Sequence, residues 1–230
     1  MNWQAKSDKP MTLPTSWQQL PQGLRYCNAI RAYFSPWLTK ILDEHILYIG
    51  GLSGELQFDL PLPHQILLQP DITADQFQPV FQSNYSLLQA NPTALPFVQQ
   101  SIGACFLINS LNFCADPHQV LREINCVITD DGYLFISLFN PFSPLIFKRY
   151  LHKTGQPKFA FRQYLTCRII DWLQLLNFEV LAQQHLAKTQ YSITALVAQK
   201  RTYPLSLQTD SDYFRTPRVL NPLEAFKQSI

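Results

Sequence analysis

A chain of 230 residues with 47% hydrophobic, 13% aromatic and only 15% charged residues is core-rich, since about 25% charged is usual, and this composition excludes intrinsic disorder. The length suits one domain with flanking segments better than two full domains. A formal charge of +2, from 18 basic and 16 acidic residues, is too mild for a bulk nucleic-acid footprint, so any such role must rest on local clustering. Cys27, Cys105, Cys114, Cys126 and Cys167 are odd in number, widely spaced and without a Cys-x-x-Cys pair, which indicates neither a disulfide framework nor a zinc site. Residues 1–10 are polar and no run of 18 apolar residues occurs, so the expected compartment is the cytoplasm.

In chain order, helical spacing of Leu24, Cys27, Ile30 and Phe34 predicts a helix, and Pro36 restarts a second one carrying Trp37, Leu38, Ile41 and Leu42. Residues 1–44 therefore form an N-terminal helical segment. The apolar run 45–49 ends at Gly50-Gly51 and reads as a buried strand feeding a tight turn; of only seven glycines, three (Gly50, Gly51, Gly54) lie here. Further strands are expected at 65–69 and 85–89, with a helix over 72–83. Residues 104–108 form a buried strand. Asp116-Pro117 then opens a helix, as N-cap and first helical residue, with Val120, Leu121, Ile124, Val127 and Ile128 as its apolar stripe. After the Asp130-Asp131-Gly132 turn comes a strand at 133–139, and a helix carries Phe161, Leu165, Ile169, Trp172, Leu173 and Leu176 as far as Asn177. Two last strands, from 178 and over 192–198, are close enough to pair as an antiparallel hairpin. Residues 201–230 read as a loosely ordered polar tail. Strands alternating with helices predict an α/β fold with a mostly parallel sheet covered on both faces.

The stretch Asn91-Pro92-Thr93-Ala94-Leu95-Pro96-Phe97, then 101–108, Leu111, Asp116-Pro117, Leu121-Arg122-Glu123-Ile124 and Asp131-Gly132-Tyr133-Leu134 resembles the middle of class I S-adenosylmethionine-dependent methyltransferases of the type 11 branch. The resemblance extends from about 46 to 198. It implies a Rossmann-like three-layer sandwich over residues 45–200, with a seven-stranded sheet whose final strand is antiparallel, and S-adenosyl-L-methionine as methyl donor.

In that family the first strand ends in an acidic residue followed by Gly-x-Gly-x-Gly, glycines that let backbone approach the ligand. Here the stretch is Tyr48-Ile49-Gly50-Gly51-Leu52-Ser53-Gly54, a degenerate loop in which Tyr48 replaces the acid and Leu52 the central glycine. The resemblance assigns cofactor binding to Gly50, Gly51, Gly54, Asp71, Asn91, Leu95 and Asn109. Asp71 or Gln69 stands for the ribose-binding acid, Asn91 for the residue at the adenine amino group, Leu95 closes over the adenine, and Asn109 sits near the methyl group. Glu55 is either a substitute carboxylate or a helix-start residue. A Leu52 side chain where backbone should meet the cofactor would obstruct it.

Methyl transfer chiefly needs an acceptor held in line with the sulfonium, so no catalytic base is singled out. His118, in a helix first turn, reads as solvated. Asn140-Pro141-Phe142 resembles the Asn-Pro-Pro-Tyr motif of amino-group methyltransferases, but follows the fifth strand where that motif follows the fourth, and is rejected. Between Asp131 and Asp171 no acidic residue occurs, while Lys148, Arg149, Lys153, Lys158, Arg162 and Arg168 alternate with aromatics. Phe142, Phe147, Lys148, Arg149 and Tyr150 are the candidates for an acceptor wall or lid, suited to a small anionic or aromatic acceptor, with nucleic acid or a membrane surface below it; the alternative is a solvated lid whose aromatics pack on the domain. The competing function is a methyltransferase-like binding or regulatory module without catalysis, for which Tyr48 and Leu52 speak.

Overall fold

The computed structural model describes residues 14–20, 23–41, 43–56, 58, 63–71, 84–139, 162–186 and 193–201. The expected helix over 72–83, the lid candidates Phe142, Phe147, Lys148, Arg149 and Tyr150, and the tail beyond Arg201 lie outside them.

Seven strands form one sheet: β1 (His45–Ile49), β2 (His64–Gln69), β3 (Tyr85–Gln89), β4 (Ile102–Ile108), β5 (Ile128–Phe139), β6 (Phe178–Leu186) and β7 (Ile193–Lys200). Their order is β3-β2-β1-β4-β5-β7-β6. All pairings are parallel except those of β7, which runs antiparallel to β5 and β6. The expected α/β sandwich with an antiparallel final strand is the observed fold. Chain direction across the sheet reverses between β1 and β4, and such a switch point opens a crevice at the carboxyl ends of the strands.

The pleat divides the strand residues between two cores. On one face Leu47, Ile49, Cys105, Leu107, Leu134 and Ile136 meet α3 (Pro117–Val127) and α4 (Thr166–Leu175). On the other, Ile46, Tyr48, Phe106 and Phe135 meet α1 (Gly23–Leu38), through Tyr26, Ile30, Phe34 and Leu38. The helix that follows β1, α2 (Gly51–Gly54), is a single turn.

Several boundaries differ from expectation. One helix replaces the expected pair: Pro36 lies inside the last turn of α1, where its missing N–H removes one hydrogen bond, and the helix ends two residues later. Trp17 stands outside it, in a 3-10 turn (Trp17–Gln19) capped by Ser16, whose hydroxyl accepts the Gln18 N–H at 3.1 Å. Ile128 leaves the helix stripe to begin β5, where a bulge holding Asp131 at φ 61° absorbs the Asp-Asp-Gly sequence. α4 starts at Thr166, later than its apolar pattern predicts. Before it, Arg162 pairs with Asn112, N–H to carbonyl at 2.7 Å and side-chain amide to carbonyl at 2.7 Å, and this holds it outside the helix.

The caps follow expectation. Asp116 accepts the Gln119 N–H at 3.1 Å with Pro117 behind it. Asn177, at φ 62°, ends α4. Lys200 Nζ, from β7, donates to the carbonyls of Asn125 and Ile128 at 2.8 and 2.9 Å and closes the carboxyl end of α3.

Candidate active site

The crevice is built around Gly50. Its backbone lies at φ 88° and ψ 158°, a region open only to glycine. This lets the chain leave β1 and turn at once. Gly50 N–H reaches across to the Leu68 carbonyl at 2.9 Å, and the Ser53 and Gly54 N–H groups return to the Gly50 carbonyl at 3.1 and 3.2 Å. The Ser53 hydroxyl then joins β1 to β4 beyond their last backbone pair: it donates to the Ile49 carbonyl at 2.6 Å and accepts the Ile108 N–H at 3.0 Å. Ser110 donates to the same Ile49 carbonyl at 2.5 Å. Gly54 faces away from the crevice, for a Cβ on it would lie 2.6 Å from Leu67 Cδ2, so it serves close packing on β2.

Tyr48 and Leu52 belong to the core. Tyr48 is fully buried and stacks on Phe106, with centroids 4.9 Å apart at 11°; Phe106 in turn stacks on Phe135 at 4.4 Å and 8°. Burial pushes the phenol pKa well up, so this position carries no charge. Leu52, 3% exposed, lies in the same cluster as Trp17 and Leu56. Glu55 is not a helix-start residue. It follows the last residue of α2, and its Oε2 accepts the Trp17 N–H at 3.0 Å.

On the two strands flanking β1, buried polar groups await partners. Gln69 ends β2 beside Gly50, is 5% exposed, and its Oε1 is enclosed without a hydrogen bond. Asp71 stands two residues beyond the strand and is exposed. Past β4, Asn109 is fully buried at φ 54°; its N–H donates to the Ser137 carbonyl at 2.9 Å and its Oδ1 accepts the Ser137 hydroxyl at 2.5 Å, while Nδ2 has no partner among the described residues. Asn91 is exposed, and its Oδ1 already accepts the Thr93 N–H and hydroxyl at 3.0 and 2.9 Å, closing a turn. That turn leads to the buried Leu95, whose N–H donates to Glu123 Oε2 of α3 at 3.1 Å.

The fold thus sets Gly50, Gly51 and Asn109 at adjacent strand ends with Gln69. Asn91 and Leu95 lie on the loop beyond β3. Sequence reasoning missed Ser137, Glu123 and Trp17. Each acts on a partner 28 or more residues away, and no local spacing marks it.

His118 is half-buried. Its ring lies 4.0 Å from that of Trp172, and its pKa is lowered by burial, helped by Arg122 and Arg168 and opposed by Asp116. The unfolded chain therefore takes up this proton first as pH falls. The stability from neutral His118 is present above the unfolded pKa of about 6.5 and lost as pH drops through the lower folded pKa. Urea midpoints between pH 7.5 and 5 should fall less steeply for His118→Gln than for the wild type; parallel curves would contradict this. The Cys114 thiol, ahead of the same helix, is pushed up to about 11, chiefly by burial, and is no nucleophile at neutral pH.

Among the described residues, no group of three or more His, Cys, Asp and Glu could hold a metal ion, and no helix is long and apolar enough to cross a membrane. A family described as a methyltransferase domain matches residues 51–136, from α2 into β5. An uncharacterized protein of Escherichia coli (strain K12), YafS, is 33% identical over 244 residues, covering 97% of this chain and 96% of that one. Among solved structures, a SAM-dependent methyltransferase from Methanosarcina mazei superposes with a TM-score of 0.55 at 20% identity, over 73% of this chain and 98% of that one. The chain belongs to the class I methyltransferase superfamily. The cyclase SpnF, with a TM-score of 0.58 at 12% identity over 86% of this chain and 89% of that one, shares the fold alone.

The ligand that membership of this superfamily implies is S-adenosyl-L-methionine. The residues at the strand ends suit it. A glycine-only turn stands at the switch point, flanked by a buried acceptor on Gln69 and a buried donor on Asn109, neither with a hydrogen-bond partner among the described residues.

Proposed function

We propose that this protein transfers a methyl group from S-adenosyl-L-methionine to a small acceptor, one bearing an anionic or aromatic group. The observation that carries the reading is the pair of buried, partnerless polar atoms, Gln69 Oε1 and Asn109 Nδ2, on either side of the strained glycine turn. Such groups are costly to enclose unless a ligand completes them. When bound, S-adenosyl-L-methionine supplies an electrophilic methyl group on a sulfonium. Gln69 would accept from its ribose hydroxyls, with Asp71 further out, and Leu95 would cover the adenine beside Asn91. Glu123 positions that cover through the Leu95 N–H. Asn109, oriented by Ser137, would turn its free N–H toward the acceptor. The basic stretch that includes Arg162 and the exposed Arg168 supports an anionic acceptor. Residues 45–200 would be the transferase unit, working in the cytoplasm, with 1–44 as an N-terminal helical segment.

A second reading, a binding module without catalysis, is favoured by Tyr48 and Leu52, both committed to the core. Calorimetric titration with S-adenosyl-L-methionine and S-adenosylhomocysteine tests the site. Saturable binding of both is expected, and no heat up to millimolar ligand in folded protein would contradict it. Incubation with methyl-labelled donor and a metabolite extract separates the readings: label in a small molecule supports transfer, and binding without transfer supports the module.

A further inference from the structure

Residues 14–20 lie across the outside of the glycine turn as a strap. Trp17 is fully buried, its indole N–H donates to the Leu52 carbonyl at 3.0 Å and its backbone N–H to Glu55 Oε2 at 3.0 Å. Thr15 presses on the turn itself, since a Cβ on Gly51 would lie 2.6 Å from the Thr15 carbonyl oxygen. At its other end the strap folds back onto α1 through Gly23, where a Cβ would lie 1.8 Å from the Trp17 carbonyl oxygen. With the strap seated, residues 50–54 are all buried. The backbone of Gly51 and Leu52 therefore has no face open to a ligand.

We infer that this strap is a displaceable cover on the cofactor site, which must lift from Gly51 and Leu52 before the turn can receive its ligand; the inference rests on the proposed function. The cover competes with the ligand. Apparent affinity is the intrinsic affinity multiplied by the fraction of molecules in which the strap is off, and weakening its anchors from the far side raises that fraction.

Gly23→Ala is the sharpest test, because the added methyl meets the Trp17 backbone and touches nothing in the turn, while alanine suits the start of α1. Glu55→Ala removes the acceptor of the Trp17 N–H and serves if Gly23→Ala fails to fold. Calorimetry with S-adenosylhomocysteine should give at least tenfold tighter binding to either variant than to wild type. Titration of wild type should move tryptophan emission to longer wavelength, and Trp17→Phe should abolish that shift. Binding to the variants alone, with none to wild type, would also support the cover. Wild-type binding with equal or weaker affinity in the variants and no emission shift would overturn the cover and leave the cofactor site standing. No binding by any of these proteins would overturn both.

Discussion

Tyr48→Asp, which installs the acidic residue type that class I methyltransferases carry at this place, is expected to destabilise the protein by at least about 4 kcal/mol at neutral pH and to leave cofactor affinity no better. Two effects add. The ring lost is the end of a stack running Tyr48, Phe106, Phe135 across three neighbouring strands, with Phe34 of α1 edge-on to Phe106 and Phe135. Removing a buried aromatic costs about 3–5 kcal/mol by itself. The carboxylate that replaces it would be enclosed among apolar rings, so burial raises its folded pKa above the unfolded value of about 3.9. The deficit is smallest below that value and grows as pH rises toward the folded pKa. Urea denaturation should show Tyr48→Asp further from wild type at pH 7.5 than at pH 4.5. A variant as stable as wild type at both would mean the stack carries none of this load.

Gly50→Ala is the second. At φ 88° an added Cβ strains the backbone by about 1–3 kcal/mol, and the turn can relieve that strain only by changing direction. Changing direction shifts the Leu68 and Ser53 hydrogen bonds that set the strand ends around the crevice. A loss of at least about tenfold in S-adenosylhomocysteine affinity should accompany the fall in melting temperature, since about 1.4 kcal/mol corresponds to a factor of ten. Gly54→Ala is the control. Its Cβ meets only the flexible end of Leu67, so it should lower stability by about 1 kcal/mol and keep binding within about threefold of wild type. Equal losses of affinity in the two variants would place the ligand elsewhere.

Much of the fold was legible because its central strands are buried on both faces. Residues 45–49 and 104–108 are continuous apolar runs, and Asp116-Pro117 and Asn177 punctuate the helices as local chemistry dictates. The hairpin of β6 and β7 followed from the short link between two strands. What was not legible depends on contacts distant in sequence. Asp71 keeps the charge and spacing expected of the ribose-binding acid and Gln69 ends the strand as its pattern predicts, but only the pairing of β1 with β2 sets Gln69 beside Gly50. The same holds for Leu52. Its size suggested an obstruction in the crevice, but Trp17, reached across 35 residues, draws it into the core. Tyr48 could be recognised as a missing charge; that an aromatic ladder had taken its place needed the register of β1, β4 and β5.

The central claim is that the carboxyl ends of β1, β2 and β4 hold S-adenosyl-L-methionine. Nitrogen-15 NMR of the full chain, titrated with S-adenosylhomocysteine, tests it most directly. The expected result is saturable shifts of the Gly50, Gly51, Leu95 and Asn109 amides, together with the side-chain amides of Asn109 and Gln69. Shifts confined to residues away from those strand ends, or none at millimolar ligand, would contradict the account.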